Sequence, residues 1–183
     1  DYFFSEIYNR GLYYFFAFPE QAIGLNDLSN AISASKTATK KVILQLEKEG
    51  FLKKEIIGNA WRISSNQDHP YLISRKVPLH LQIIYESGII DIIRQQIPSA
   101  RAILLFGSYR WGSDNEKSDI DIAVEIIGDK EPEIISFKTL EYLGYRKNVP
   151  VNLYIFSRNK IDLNLFNNIA NGLVLYGFLE VRP

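Results

Sequence analysis

The chain has 183 residues, 21 basic against 21 acidic side chains and a formal net charge of zero, with 46% hydrophobic and 13% aromatic residues. Length and hydrophobic share accommodate two small domains, and neutrality argues against indiscriminate coating of nucleic acid. The absence of cysteine excludes disulfides and thiolate metal sites, and two widely separated histidines, His69 and His80, make no zinc centre, so both are read as linker or surface residues.

The chain opens on Asp1 and contains no methionine, from which a truncated, processed or edited chain is expected. A helix rich in Tyr and Phe is predicted from about Tyr2 to Phe18, stopped by Pro19. Its interruption by Glu6, Asn9 and Arg10 and its lack of a basic start argue against a secretory signal. No later run approaches a membrane span, so a cytoplasmic protein without a membrane partner is expected. The rings suit core packing or a homodimer contact better than base stacking, since Arg10 is the only basic residue among them. A short helix from Asn26 or Asp27 follows, with Leu28 and Ile32 inward. Ser33-Ala-Ser35 then makes a turn and caps a third helix from about Lys36 to Glu49.

In that third helix Thr39, Ile43 and Leu46 form an inward stripe, while Thr37, Lys40, Lys41 and Lys48 occupy the other side, interrupted by Leu44. Gly50 ends it. Lys54 to Ile63 then reads as two strands separated by Gly58-Asn59, a hairpin signal. Three helices and a hairpin make a winged helix-turn-helix, and the junction from Leu46 to Leu52 resembles the winged-helix regulators of bacteria and archaea. From this follows a double-stranded DNA partner, with Lys36, Thr37, Lys40 and Lys41 toward the major groove and Lys53, Lys54 and Arg62 toward phosphates. From Lys36 to Arg62 there are seven basic and three acidic residues, a local footprint for modest affinity. No Arg or Asn on the presumed reading face offers a bidentate base contact. Winged helices also serve as docking or dimerisation modules.

Ser64 to Pro70 is polar and breaker-rich, a natural boundary. A single helix is expected next, with Pro78 in its first turn and Leu81, Ile84, Gly88, Ile92 and Ile93 along one stripe. Ala102 to Phe106 is an uninterrupted apolar run, expected of a strand covered on both faces, and it stops at Gly107-Ser108. Glycine permits unusual φ and close approach to a phosphate, and the Ser108 hydroxyl and following amides can donate to anionic oxygens. Gly112, Ser113 and Asp114 mark another turn.

From Asp119 the chain alternates Asp, Ile, Asp, Ile, Ala, Val, Glu, which is strand periodicity. Asp119 and Asp121 therefore point the same way, about 6.6 Å apart at roughly 3.3 Å of rise per residue. Two such carboxylates suit Mg²⁺, which takes oxygen ligands and is commonly held by one or two carboxylates plus substrate phosphates. A solvated edge strand would show the same alternation, but not the adjoining Gly-Ser turn. Glu125 shares this parity and is read as surface. A helix from Glu131-Pro132 to about Arg146, with Ile134, Phe137, Leu140 and Leu143 inward, a strand from Val149 to Phe156 and a helix near Asp162 to Ala170 complete an α/β (α+β) unit.

The run from Ala102 to Glu125 resembles the DNA polymerase beta nucleotidyltransferase superfamily, whose signature is an apolar strand, Gly-Ser, a spacer of this length and Asp-apolar-Asp-apolar. From about Pro98 to Tyr176 the chain is most similar to the minimal nucleotidyltransferase domains, including Gly-Leu-Val-Leu-Tyr-Gly from Gly172 to Gly177. The resemblance implies a small mixed sheet flanked by helices, with expected divisions at residues 1–66 (winged helix), 67–97 (linker and connecting helix) and 98–183 (nucleotidyltransferase-like domain). It also implies a nucleoside triphosphate held by Gly107 and Ser108, and Mg²⁺ held by Asp119 and Asp121, which are also the catalytic pair. The family often has a small residue and then a basic one before the second glycine, whereas this chain has Arg110 and then Trp111, so Arg110 is the nearby basic group read as a partner for the triphosphate's charge. In the family a third carboxylate stands on a later strand, and here Asn152 takes that place. An amide can ligate a metal through oxygen but cannot accept a hydroxyl proton.

Three functions follow as expectations. One is transfer of a nucleoside monophosphate to a hydroxyl of a protein, RNA or small molecule. Another is a DNA-binding regulator whose nucleotide domain is catalytically weakened by Asn152. The third is an antitoxin-like partner of a helical ribonuclease, the toxin.

Overall fold

Turn and cap residues delimit the elements of the computed structural model, which describes residues 6–181. The chain divides into two units, residues 1–76 with 144–146 and residues 77–143 with 147–183.

In the first unit, α1 (Glu6–Ala17) buries Tyr8, Leu12, Phe15 and Phe16, a spacing that puts all four on one helical face. Of its aromatic rings, Tyr8, Tyr14, Phe15 and Phe16 are core, while Tyr13 is partly exposed. The part of this helix expected from Tyr2 to Ser5 lies outside the described residues. Gly24 precedes α2 (Leu25–Ala31), which buries Leu28, and Ile32 just beyond it is buried as well. The Ser35 hydroxyl accepts the Ala38 N–H at 3.2 Å, capping α3 (Lys36–Lys48), whose Thr39, Val42, Ile43 and Leu46 are buried. Strands β1 (Leu52–Ile57) and β2 (Ala60–Ser65) pair antiparallel with Ile57 opposite Ala60, so Gly58-Asn59 makes the turn. Ile23 and Ile63 exchange two backbone hydrogen bonds of 2.9 Å, tying the hairpin to the segment before α2. A π-helical turn, Leu72–Lys76, follows the hairpin.

The second unit begins with α4 (Val77–Glu86) and α5 (Ile89–Gln96), where a single helix was expected. The apolar stripe continues across the break, which is why periodicity hid it. Gly88 adopts a left-handed conformation between the two helices, and Ile84, Ile89, Ile90 and Ile93 are all buried. Next come β3 (Ala100–Phe106), α6 (Ser108–Trp111), β4 (Ile120–Ile126), β5 (Glu133–Leu143), β6 (Arg146–Phe156), α7 (Leu163–Ala170) and β7 (Leu173–Gly177). The five strands form one mixed sheet in the order β5-β6-β4-β3-β7. β4 runs parallel to β6, while β3 is antiparallel to both β4 and β7.

Residues 133–143 are a strand, not the expected helix. Ile134, Phe137, Leu140 and Leu143 happen to match helical spacing, but Ile134 is 63% exposed and Ile135 packs against the core in its place. The stretch Ile-Ile-Ser-Phe-Lys-Thr is rich in β-branched and aromatic residues, and the outer edge of β6 needs a partner. β5 supplies it through the short Gly144-Tyr145 connection.

Alternation along the strands sorts side chains to two faces. One face carries Ile103, Leu105, Ile120, Ile122, Val124, Val151, Leu153 and Ile155, packed with the isoleucines of α4 and α5. The opposite face carries Ala102, Leu104, Phe106, Ala123 and Phe156, covered by α7 through Leu165, Phe166 and Ile169. β7 lies so close to β3 that a Cβ on Gly177 (φ +72°) would stand 2.0 Å from the Arg101 carbonyl oxygen, so glycine is required there.

Glu125 is not a surface residue. It is 1% exposed, and Arg158 holds it with Nη2 3.0 Å from its Oε1 while reaching Glu180 with Nη1 at 2.8 Å. His80 is likewise buried, its Nδ1 3.6 Å from Oδ1 of buried Asp114. A charged group of that parity is excluded from water because α7 and the C-terminal segment cover this end of the sheet; alternation alone does not reveal the cover. Among the described residues no helix is long and apolar enough to cross a membrane.

Candidate active site

The second face of the sheet ends in a polar corner where β3, β4 and β6 bring their side chains together. Phe106, the last residue of β3, is the register partner of Asp121. The chain must then turn away without colliding with that carboxylate. Gly107 does so at φ +71°, ψ −154°, and a Cβ on it would stand 2.8 Å from Asp121 Oδ2. Both the dihedral and the close approach demand glycine. α6 starts immediately, with the Arg110 N–H returning to the Gly107 carbonyl at 3.1 Å. Buried Tyr109 anchors this short helix, its ring 4.9 Å from that of His80.

The loop back to β4 is built from local polar contacts. The Asn115 N–H donates to the Ser118 hydroxyl at 3.0 Å, and the Asn115 side-chain oxygen accepts from the Lys117 N–H at 3.0 Å and the Ser118 hydroxyl at 3.2 Å. Such Asn and Ser contacts shape a tight turn, which delivers Asp119 to the start of β4. Asp119 and Asp121 are both half-buried. The parallel register puts Asn152 of β6 directly beside Asp121. Its Nδ2 donates to Asp119 Oδ2 at 3.2 Å. The two carboxylates therefore face the same way and converge on one side chain.

Tyr154 completes the corner. It lies two residues beyond Asn152, beside Ala123, on the same face of the sheet as the two carboxylates. Its ring meets Phe106 edge-on, with centroids 4.9 Å apart. Burial pushes the Asp121 carboxyl above its ordinary range and the negative charge of Asp119 adds to this, while hydrogen bonds from Asn152 and Tyr154 act in the opposite direction. The Tyr154 phenol is raised by burial and by the charges of Asp121 and Asp119. Among the described residues there is no cluster of three His, Cys, Asp or Glu side chains suited to a metal. The third member of this one is an amide.

Ser108 sits half-buried at the opening of α6, and Arg110 stands two residues farther along it. Arg110 Nε donates to the Asn171 carbonyl at the end of α7 at 3.0 Å, and its guanidinium lies 4.4 Å from the Trp111 ring centroid. Five of the residues singled out in the sequence, Gly107, Ser108, Asp119, Asp121 and Asn152, thus assemble around the ends of three adjacent strands, with Arg110 on the adjoining helix. Tyr154 was missed, although its parity with Asn152 on the same strand is readable.

The residues expected at DNA belong to the first unit. Lys36, Thr37, Lys40 and Lys41 are exposed on α3, as is Leu44. On the hairpin, Lys54 is committed to Glu47 at 2.8 Å and lies 4.8 Å from the Trp61 ring centroid, which Lys40 approaches to 5.2 Å. Arg62 pairs with Glu55 at 3.2 Å, both well exposed.

A family profile described as polymerase beta, nucleotidyltransferase matches residues 87–178, half of the chain. The chain is also similar to the protein adenylyltransferase MntA of Shewanella oneidensis, with 48% identity over 44 residues. That stretch covers 24% of this chain and 32% of the relative, so the match spans about a third of MntA's length.

Proposed function

We propose, from the premise that the chain belongs to the polymerase beta nucleotidyltransferase family, that it transfers a nucleoside monophosphate from a nucleoside triphosphate to a hydroxyl acceptor. The observation that carries this reading is the convergence of Asp119 and Asp121 on Asn152 beside Gly107. A cation fits there on chemical grounds: the two acids supply hard oxygen donors on one side of the sheet, and their repulsion is relieved only by hydrogen bonds until a positive charge arrives. Asp119 and Asp121 would hold Mg²⁺, with Asn152 contributing its side-chain oxygen after turning its amide over. Bound there, Mg²⁺ supplies charge neutralisation at the polyphosphate and acidifies an attacking hydroxyl.

The remaining work falls to the chain's own groups. At Gly107 the backbone approaches closely enough for a polyphosphate to lie against it, and the Ser108 hydroxyl and the amides opening α6 donate to its oxygens. Arg110 adds positive charge two residues beyond Ser108, on a guanidinium that its bond to Asn171 keeps in one orientation. An acceptor hydroxyl attacks the α-phosphorus in line, and pyrophosphate leaves. The name of the Shewanella relative makes a protein hydroxyl the acceptor to try first. Incubation with Mg²⁺ and α-labelled triphosphates should give label transfer that Asp119→Ala abolishes. Equal transfer by the variant would overturn the reading.

Asn152 favours a second reading, in which nucleotide is bound without efficient turnover by a DNA-binding regulator whose first unit is a winged helix-turn-helix. Loss of a general base costs roughly a hundredfold to ten-thousandfold in rate. If the wild type binds nucleotide in calorimetry but accumulates no product, and Asn152→Asp creates transfer, a decayed catalyst is supported; efficient transfer by the wild type would overturn this second reading.

A further inference from the structure

Tyr154 meets the carboxylate pair, yet nothing in the nucleotidyl-transfer reading uses it. It stands on the same face of β6 as Asn152, beside fully buried Ala123 of β4. A methyl group at position 123 leaves room for the phenol ring to reach across β4 to Phe106, which it meets edge-on at 4.9 Å and 82°. Phe106 is in turn the β3 partner of Asp121. The ring is therefore located by strands on both sides of β4, which brings its hydroxyl beside the Asp121 carboxylate. On its other flank Asp121 Oδ2 lies against Gly107, with no room for a Cβ. Asn152 restrains Asp119 by a separate bond. One hydrogen bond from a phenol occupies one lone pair of a carboxylate and leaves others for a cation.

We propose that Tyr154 is a positioning residue for the metal: its hydroxyl fixes the Asp121 carboxylate in the orientation from which it and Asp119 engage one divalent cation. This rests on the reading of the two acids as metal ligands. Partners that orient metal ligands typically contribute ten- to hundredfold in affinity.

Mn²⁺ titrated calorimetrically into the full chain, without nucleotide, tests it. Tyr154→Phe keeps the ring and removes only the donor, and it should weaken Mn²⁺ binding by about tenfold or more. Ala123→Val, which pushes the ring from its place, should give a comparable loss. A purely structural role would instead lower the thermal midpoint in chelator and leave Mn²⁺ affinity intact. Wild-type affinity in Tyr154→Phe overturns the positioning role alone. Absence of Mn²⁺ binding in the wild type overturns both this role and the metal reading beneath it.

Discussion

Asp121 carries two loads, a half-buried negative charge and a like-charged neighbour, and both push its carboxyl above the ordinary 3.8. Between that value and its raised value in the folded chain, the folded state binds more protons than the unfolded one. Stability therefore falls as pH climbs through this window, and the contribution is fully recovered only below 3.8. Replacing the acid by an isosteric amide removes the penalty. In chelator, Asp121→Asn should match the wild type at the acid end of a series of thermal melts. Its advantage should grow as pH rises through the window and then level off. An advantage independent of pH would mean that burial of this carboxylate costs nothing. Adding Mg²⁺ at neutral pH should narrow the gap, because the cation binds the ionised pair and only the wild type offers it.

The turn between β3 and α6 sets where these acids can be used, and one methyl group is enough to spoil it. Gly107→Ala would place its Cβ 2.8 Å from Asp121 Oδ2 and hold alanine at φ +71°. The positive φ alone should cost more than about 1 kcal/mol in denaturant unfolding, and the displaced carboxylate should reduce both Mn²⁺ and nucleotide binding. Retention of both affinities would mean that the close approach is not used. This turn was legible in the sequence because its determinants are contiguous: an apolar strand, Gly107-Ser108, a loop and two alternating acids. Asn152 was found only through the resemblance, which places a third carboxylate on a later strand. Tyr154 was not legible, since its role depends on pairing between β4 and β6 and on the smallness of Ala123, neither of which is written locally. Residues 133–143 misled because four apolar side chains fell three apart, whereas the neighbouring strand's unpaired edge decided the conformation. Gly88 hid a break for the converse reason, a periodicity that persists through it.

Zero net charge conceals an asymmetry between the two units. Residues 1–76 with 144–146 hold eleven basic and eight acidic side chains, and the remainder hold ten and thirteen. A winged-helix reading of the first unit must therefore rely on local charge, because the chain as a whole offers a polyanion no long-range attraction. On α3 the exposed cations are Lys36, Lys40, Lys41 and Lys48, of which the first three lie on the helical stretch expected at DNA. Three phosphate contacts correspond to a slope near −3 in log affinity against log salt concentration, from about −0.9 per phosphate on duplex DNA. Fluorescence anisotropy with a labelled duplex at a series of salt concentrations should give that slope. Lys40→Ala with Lys41→Ala should reduce it to about −1. Lys54→Ala should leave it unchanged, because that ammonium is already bonded to Glu47 at 2.8 Å and has little left to give a phosphate. A slope that ignores the α3 lysines, or no binding even at low salt, would remove DNA from the account and leave this face for docking a protein. Affinity should in any case be modest, since three lysines supply the whole charge contribution and salt screens it.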